Sequence, residues 1–108
     1  MPRSIQYNDV IYTIGWMHGF LIDFNQWDEN WVYYIAQKEK IILTNEHWEI
    51  INLIRNHYKE HNEVIRVRLL TSQMDIEISH FYSLFNRKEY LAHKMAGLSK
   101  ELSKTISC

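Results

Sequence analysis

The stretch "TNEHWEIINLIRNHYKEHN", residues 44–62, constrains the fold more than any other part of the chain. Thr44 is a natural N-cap, and Glu46 and Glu49 lie where the positive end of a helix dipole favours acids. Trp48, Ile51, Ile54 or Arg55, and Tyr58 recur at helical spacing and mark one inward face. Asn62 suits the C-terminal cap, because asparagine tolerates left-handed backbone. This long helix needs partners for its apolar face, and the rest of the chain supplies short ones.

Residues 5–14, "IQYNDVIYTI", predict a short hairpin turning at Asn8-Asp9. Gly15 and Gly19 bracket a second turn, and "FLID" is expected to add a third short strand. The segment "DFNQWDENWVYYIAQKEK" turns helical. Asp23 or Asn25 is the expected cap, Asp28 and Glu29 fall in the first turn, and Trp27, Trp31, Tyr34 and Ile35 share a buried face. "IIL", residues 41–43, links to the long helix. "EVIRVRLL" fits a strand by its alternation and a short buried helix equally well. "SHFYSLF" and "RKEYLAHKMAGL" read as two short helices. In the second, Tyr90, Leu91, Met95 and Leu98 are expected inward, with Gly97 where the helix stops. After Leu98 no apolar pattern survives. The expected organisation is a single domain over residues 1–98 and a mobile C-terminal arm over residues 99–108. The 14 isoleucines carry little weight as a strand signal, since they accompany eight asparagines in the way an AT-rich coding sequence would produce.

A length of 108 residues fits one compact domain, and 46% hydrophobic with 23% charged residues is a globular composition. The net charge of −1 gives no global attraction to nucleic acid or membrane. Residues 1–54 carry three basic and seven acidic side chains and residues 55–108 carry nine and six, so the second half is the side for an anionic partner. No stretch reaches the length of a membrane span, and the N-terminal segment lacks the pattern of a secretory leader. One cysteine, Cys108, excludes an internal disulfide and a cysteine-only zinc site. A reduced, cytoplasmic setting follows.

Cys108 ends the small, polar stretch "LSKELSKTISC". An exposed thiol with an ordinary pKa of about 8.5 is partly ionised near neutrality, and thiolate is the reactive form. Its own α-carboxylate opposes ionisation, and Lys100 and Lys104 offset that. A sulfur carrier on a swinging arm and an inert terminal cysteine both fit these residues. His57 and His61 sit at i, i+4, but "HYKEH" is not H-E-x-x-H and no third ligand stands out, so no metal is expected. Arg66, Arg68, Arg87 and Lys88 form a solvated basic face more readily than a nucleic-acid surface. The sequence shows no phosphate-cradling glycine loop, no recognisable pair of carboxylates and no specific Ser/His/Asp arrangement, so a self-sufficient hydrolase or nucleotide triphosphatase is not expected, nor is a cofactor.

"GFLIDFNQW", "IAQKEKIILTNEHWEIINLIRNHYKEHN", "FYSLF" and "HKMAGLSK" followed by a cysteine occur here in that order. Together they resemble the TusE/DsrC family of sulfur-carrier proteins over about residues 5–100. The block "LTNEHWEIINLIRNHYKEHN" and the "MAGL" marker carry most of that resemblance. It implies a small α+β fold: a short N-terminal antiparallel β-meander packed on about five helices, with a helix-turn-helix-like C-terminal part. It also implies a function. The TusE branch passes persulfide sulfur toward the wobble uridine of tRNA. It takes sulfur from a TusBCD-type complex and delivers it to an MnmA-type tRNA 2-thiouridylase with its tRNA. The carrier cysteine of that branch maps to Cys108. The DsrC branch, a partner of sulfite reductase, uses a second cysteine at the position of His93, so the resemblance favours the TusE-like role. On this view His93, Lys94, Lys100 and Lys104 steer the arm. Arg66, Arg68, Arg87 and Lys88 face partners, and neither membrane nor direct DNA binding is expected. The competing expectations are a helix-turn-helix-like nucleic-acid-binding module and a scaffold with an inert cysteine. Lys40 stands where the family commonly has a glycine.

Overall fold

A computed structural model of the chain describes residues 3–15 and 19–100. Two strands, β1 (Arg3–Tyr7) and β2 (Val10–Ile14), pair antiparallel with Tyr7 opposite Val10. Asn8 and Asp9 both take positive φ, at 50° and 65°, the two-residue turn whose twist matches a hairpin. The expected third strand reduces to one bridge, Ile14 opposite Leu21, flanked by Gly15 N–H to Phe20 O and Ile22 N–H to Thr13 O. Asp23 explains why it stops. Its carboxylate accepts from Asn25 N–H and caps a 3₁₀ turn over Phe24–Gln26 instead.

Among the described residues five helices follow: α1 (Glu29–Glu39), α2 (Asn45–His61), α3 (Val67–Met74), α4 (Ile78–Leu84) and α5 (Glu89–Met95). The N-cap of α1 is Asp28, not Asp23 or Asn25. Trp27 is extended, at φ −63° and ψ 140°, and separates the 3₁₀ turn from α1, so it is not part of that helix's face. Asp28 accepts from Trp31 N–H and also from the buried Tyr12 hydroxyl, tying the hairpin to the start of α1. Desolvation, with the Asp28 carboxylate second, raises the Tyr12 pKa and keeps the phenol protonated.

Helix α2 starts at Thr44 and ends at Asn62 in left-handed backbone, as its sequence predicts. His47 completes its start. Its Nε2–H donates to Leu84 O at 2.7 Å, which leaves Nδ1 to accept from Thr44 N–H at 3.0 Å. One imidazole thus caps α2 and fastens it to the end of α4. "EVIRVRLL" resolves as the entry to α3. Ile65, Val67, Leu70 and Thr71 are buried while Leu69 is exposed, a helical pattern that breaks the alternation at its last position. Asp75, Ile76 and Glu77 then connect α3 to α4 in a tight helix–turn–helix pair.

The core joins Tyr12, Trp31, Ile35, Ile50, Ile51, Ile54, Phe81, Phe85 and Leu91. Tyr90, expected inward, is exposed, because α5 turns residues 91–98 into the core and leaves Tyr90 at its outer edge.

Candidate functional site: the clamped base of the C-terminal segment

A helix ends with carbonyls that have no intrahelical partner. In α5 each of these finds one. Leu98 N–H bonds His93 O at 3.1 Å and Gly97 N–H bonds Lys94 O at 3.1 Å, the pairing of a Schellman stop with Gly97 at φ +85°. Three side chains from distant positions add further bonds to this helix end. Trp31 Nε1–H donates to Lys94 O and Trp27 Nε1–H to Met95 O, both at 2.7 Å. Arg55 Nη1–H donates to Ala96 O at 2.9 Å. Three successive carbonyls are therefore held by side chains from two other helices and a linker.

Arg55 is itself confined. Its guanidinium lies 3.9 Å from the Phe24 ring centroid and 4.1 Å from that of Trp27, a cation between two π-faces. Burial lowers its pKa to about 10, so it is still a cation at neutral pH. Gly97 is required on two grounds. Its backbone is left-handed, and a Cβ there would lie 2.8 Å from Trp27 Cδ1 and 3.0 Å from Arg55 Nη1. The sequence pointed to Gly97 as a helix stop and to Arg55 and the tryptophans as core. It did not reveal that they converge on one set of carbonyls. The one available signal is chemical: a buried indole N–H needs an acceptor.

His93 and Lys94 are the sequence-predicted residues that lie within this site. Both are buried among residues 91–98, an unbroken buried run. Desolvation lowers the His93 pKa to about 4, against a smaller opposing pull from Glu89, so the imidazole is neutral at physiological pH. Lys94 is lowered by desolvation first, then by repulsion from Lys38 and Lys88, with Glu39 opposing. Lys100 is half-buried just beyond the clamp. Arg66 and Arg68 are exposed around the start of α3, and Arg87 and Lys88 are exposed between α4 and α5. Lys88 lies 3.9 Å from Glu39, a weak surface pair. Lys104 and Cys108 lie outside the described residues. Ten positions separate Leu98 from Cys108. His57 and His61 do approach, with ring centroids 4.5 Å apart. Among the described residues no group of three metal-ligating side chains forms. No helix there is long and apolar enough to cross a membrane.

A family model described as "DsrC like protein" matches residues 15–103. This chain belongs to the DsrC-like family. The match spans both clamping indoles, Arg55 and the whole of α5, and stops short of Cys108. Among its DsrC-like relatives is the "Sulfurtransferase TusE" of Pectobacterium atrosepticum, 33% identical over 76% of this chain and 83% of that protein. The "Sulfite reductase, dissimilatory-type subunit gamma" of Nitratidesulfovibrio vulgaris is also 33% identical, over 76% of this chain and 80% of that one. The solution structure of Allochromatium vinosum DsrC superposes with a TM-score of 0.80 at 29% identity, covering 93% of this chain and 96% of that one. The crystal structure titled dissimilatory sulfite reductase I (DsrI) superposes at 0.84 with 28% identity, covering 91% and 95%. The α+β fold expected from sequence is therefore the DsrC-like fold.

Proposed function

We propose that this chain is a sulfur carrier of the TusE type, acting in the cytoplasm, with Cys108 as the carrying residue. The observation that carries the proposal is the clamp at Lys94–Ala96, within a family whose relatives include proteins named sulfurtransferase TusE. A carrier needs one end of a tether fixed so that the other can visit donor and acceptor. A Schellman stop with three further side-chain bonds is such a fixed end.

The chemistry asks little of the domain. The Cys108 thiolate attacks the terminal sulfur of a donor persulfide. The donor leaves as a thiolate, and Cys108 becomes a persulfide. A cysteine of the acceptor then attacks that outer sulfur and releases Cys108 as thiolate. Both steps are exchanges at sulfur that consume no external oxidant or reductant. A TusBCD-type complex is the proposed donor and an MnmA-type tRNA 2-thiouridylase with its tRNA the proposed acceptor. Arg66, Arg68, Arg87 and Lys88 are the proposed docking cations. On the family resemblance, His93 stands where the DsrC branch carries its second cysteine. A neutral, buried imidazole there supplies no thiol for an intramolecular disulfide, which favours the TusE-like role over that of a sulfite-reductase partner.

The test is reconstitution. Chain loaded with labelled sulfur is mixed with the thiouridylase, ATP and unmodified tRNA, and label in the wobble uridine is measured. Transfer from the wild type and none from Cys108→Ser supports the proposal. Equal labelling from both proteins overturns it.

A further inference from the structure

A cavity of about 260 Å³ opens between the hairpin and α1, lined by Arg3, Ile5, Ile14, Gly19, Tyr34 and Lys38. Lys94 Nζ reaches its Gly19 wall and lies 3.7 Å from where a Cβ on that glycine would sit. The missing side chain at position 19 thus leaves the ammonium room to approach the cavity. Lys94 is only 6% exposed, and among the described residues its ammonium makes no hydrogen bond or ion pair. Its one specific contact there is the Phe20 ring, at 5.6 Å. Lys38 sits over Tyr34, with its ammonium 5.4 Å from the ring. Among the groups acting on Lys94, Lys38 and Lys88 repel it and Glu39 alone attracts it. Glu39 is shared with Lys88. Cations therefore outnumber acids around a polar, open recess. Among the described residues no buried side-chain nitrogen or oxygen lacks a partner, so the unpaired Lys94 ammonium keeps some contact with solvent.

We propose that this recess binds a small tetrahedral oxyanion, the chemistry shared by phosphate and the sulfur oxyanions, between Arg3, Lys38 and Lys94. Arg3 offers a planar fork and Lys38 a mobile point charge at the mouth, and Lys94 supplies the charge at the inner wall. The volume takes such an ion with part of its hydration shell. Of its lining residues, Arg3, Ile5 and Ile14 lie outside the family match at residues 15–103, and Gly19, Tyr34 and Lys38 lie within it. It does not depend on the carrier proposal.

The test is an amide NMR titration of the full chain at constant pH and ionic strength. Sodium phosphate, sulfate and thiosulfate are compared with chloride. Saturable shifts centred on Gly19 and Lys38 are expected, with dissociation constants on the order of millimolar. Arg3→Gln and Lys38→Gln, both at exposed positions, should each weaken binding at least about threefold, and Lys59→Gln on the distant end of α2 should leave it unchanged. A preference for phosphate identifies a phosphoryl group as the ligand, and a preference for thiosulfate or sulfate identifies a sulfur oxyanion. Either supports the site. Shifts that do not saturate, that chloride reproduces, or that persist at full affinity in Lys38→Gln overturn it.

Discussion

Replacing Gly97 by alanine tests the clamp where it is tightest. Left-handed backbone costs an alanine about 1–2 kcal/mol relative to glycine. The new methyl would also lie 2.8 Å from Trp27 Cδ1 and 3.0 Å from Arg55 Nη1. Both neighbours are rings or planes held by hydrogen bonds to Met95 O and Ala96 O, so relief means lengthening those bonds. Overpacking of this kind costs about 1–3 kcal/mol. The expected loss is about 2–5 kcal/mol, a large share of the roughly 5–15 kcal/mol that holds such a domain together. Urea unfolding reads it as a midpoint lowered by about 1–2 M. Gly19→Ala is the internal control. It too has positive φ, at +66°, but among the described residues its Cβ would meet nothing closer than 3.7 Å. It should lose only the backbone share, about 1–2 kcal/mol. Equal losses for the two variants would show that Trp27 and Arg55 yield without resistance, and the clamp would then not be rigid.

Other consequences are open to direct measurement. Lys40 closes α1 in left-handed backbone at φ 59°, where a glycine is unstrained, so Lys40→Gly should stabilise the fold by about 1 kcal/mol in urea melts. Arg55→Lys keeps the charge but loses the planar stack between Phe24 and Trp27, and should cost about 1–2 kcal/mol. His93 titrates at about 4 in the fold against about 6.5 unfolded, so the unfolded chain takes up its proton first. The contribution is complete above pH 6.5, is lost as pH falls from about 6.5 to 4, and amounts to about 3 kcal/mol. Comparing the pH dependence of stability in wild type and His93→Gln isolates it, and the variant's curve should be flatter across that window.

Capping and periodicity made the helices legible before the structure. Thr44 and Asn62 bound α2, Gly97 stops α5, and Asn8-Asp9 turns the hairpin, because each depends on backbone preferences that a few neighbouring residues decide. The start of α1 is harder to place from sequence for the same local reason. "DFNQWDEN" offers two aspartates, and only the extended Trp27 between them shows that Asp23 caps a 3₁₀ turn while Asp28 caps the helix. Residues 63–70 stayed ambiguous until tertiary packing exposed Leu69. The clamp was least legible. Trp27, Trp31 and Arg55 stand 68, 63 and 41 positions before the carbonyls they hold and share no motif, and helical spacing alone makes them ordinary core residues. Their shared acceptors, the carbonyls of Lys94, Met95 and Ala96, exist only once α5 is docked.

The carrier role itself turns on whether Cys108 holds transferable sulfur. Intact-mass and peptide mass spectrometry of the full chain after incubation with a protein persulfide donor measures this. A carrier gains one sulfur atom on Cys108, gives it up to an excess of a second thiol, and gains nothing as Cys108→Ser. A chain that stays unmodified under conditions that load a TusE relative, or that takes up sulfur equally as Cys108→Ser, is not a carrier of this kind.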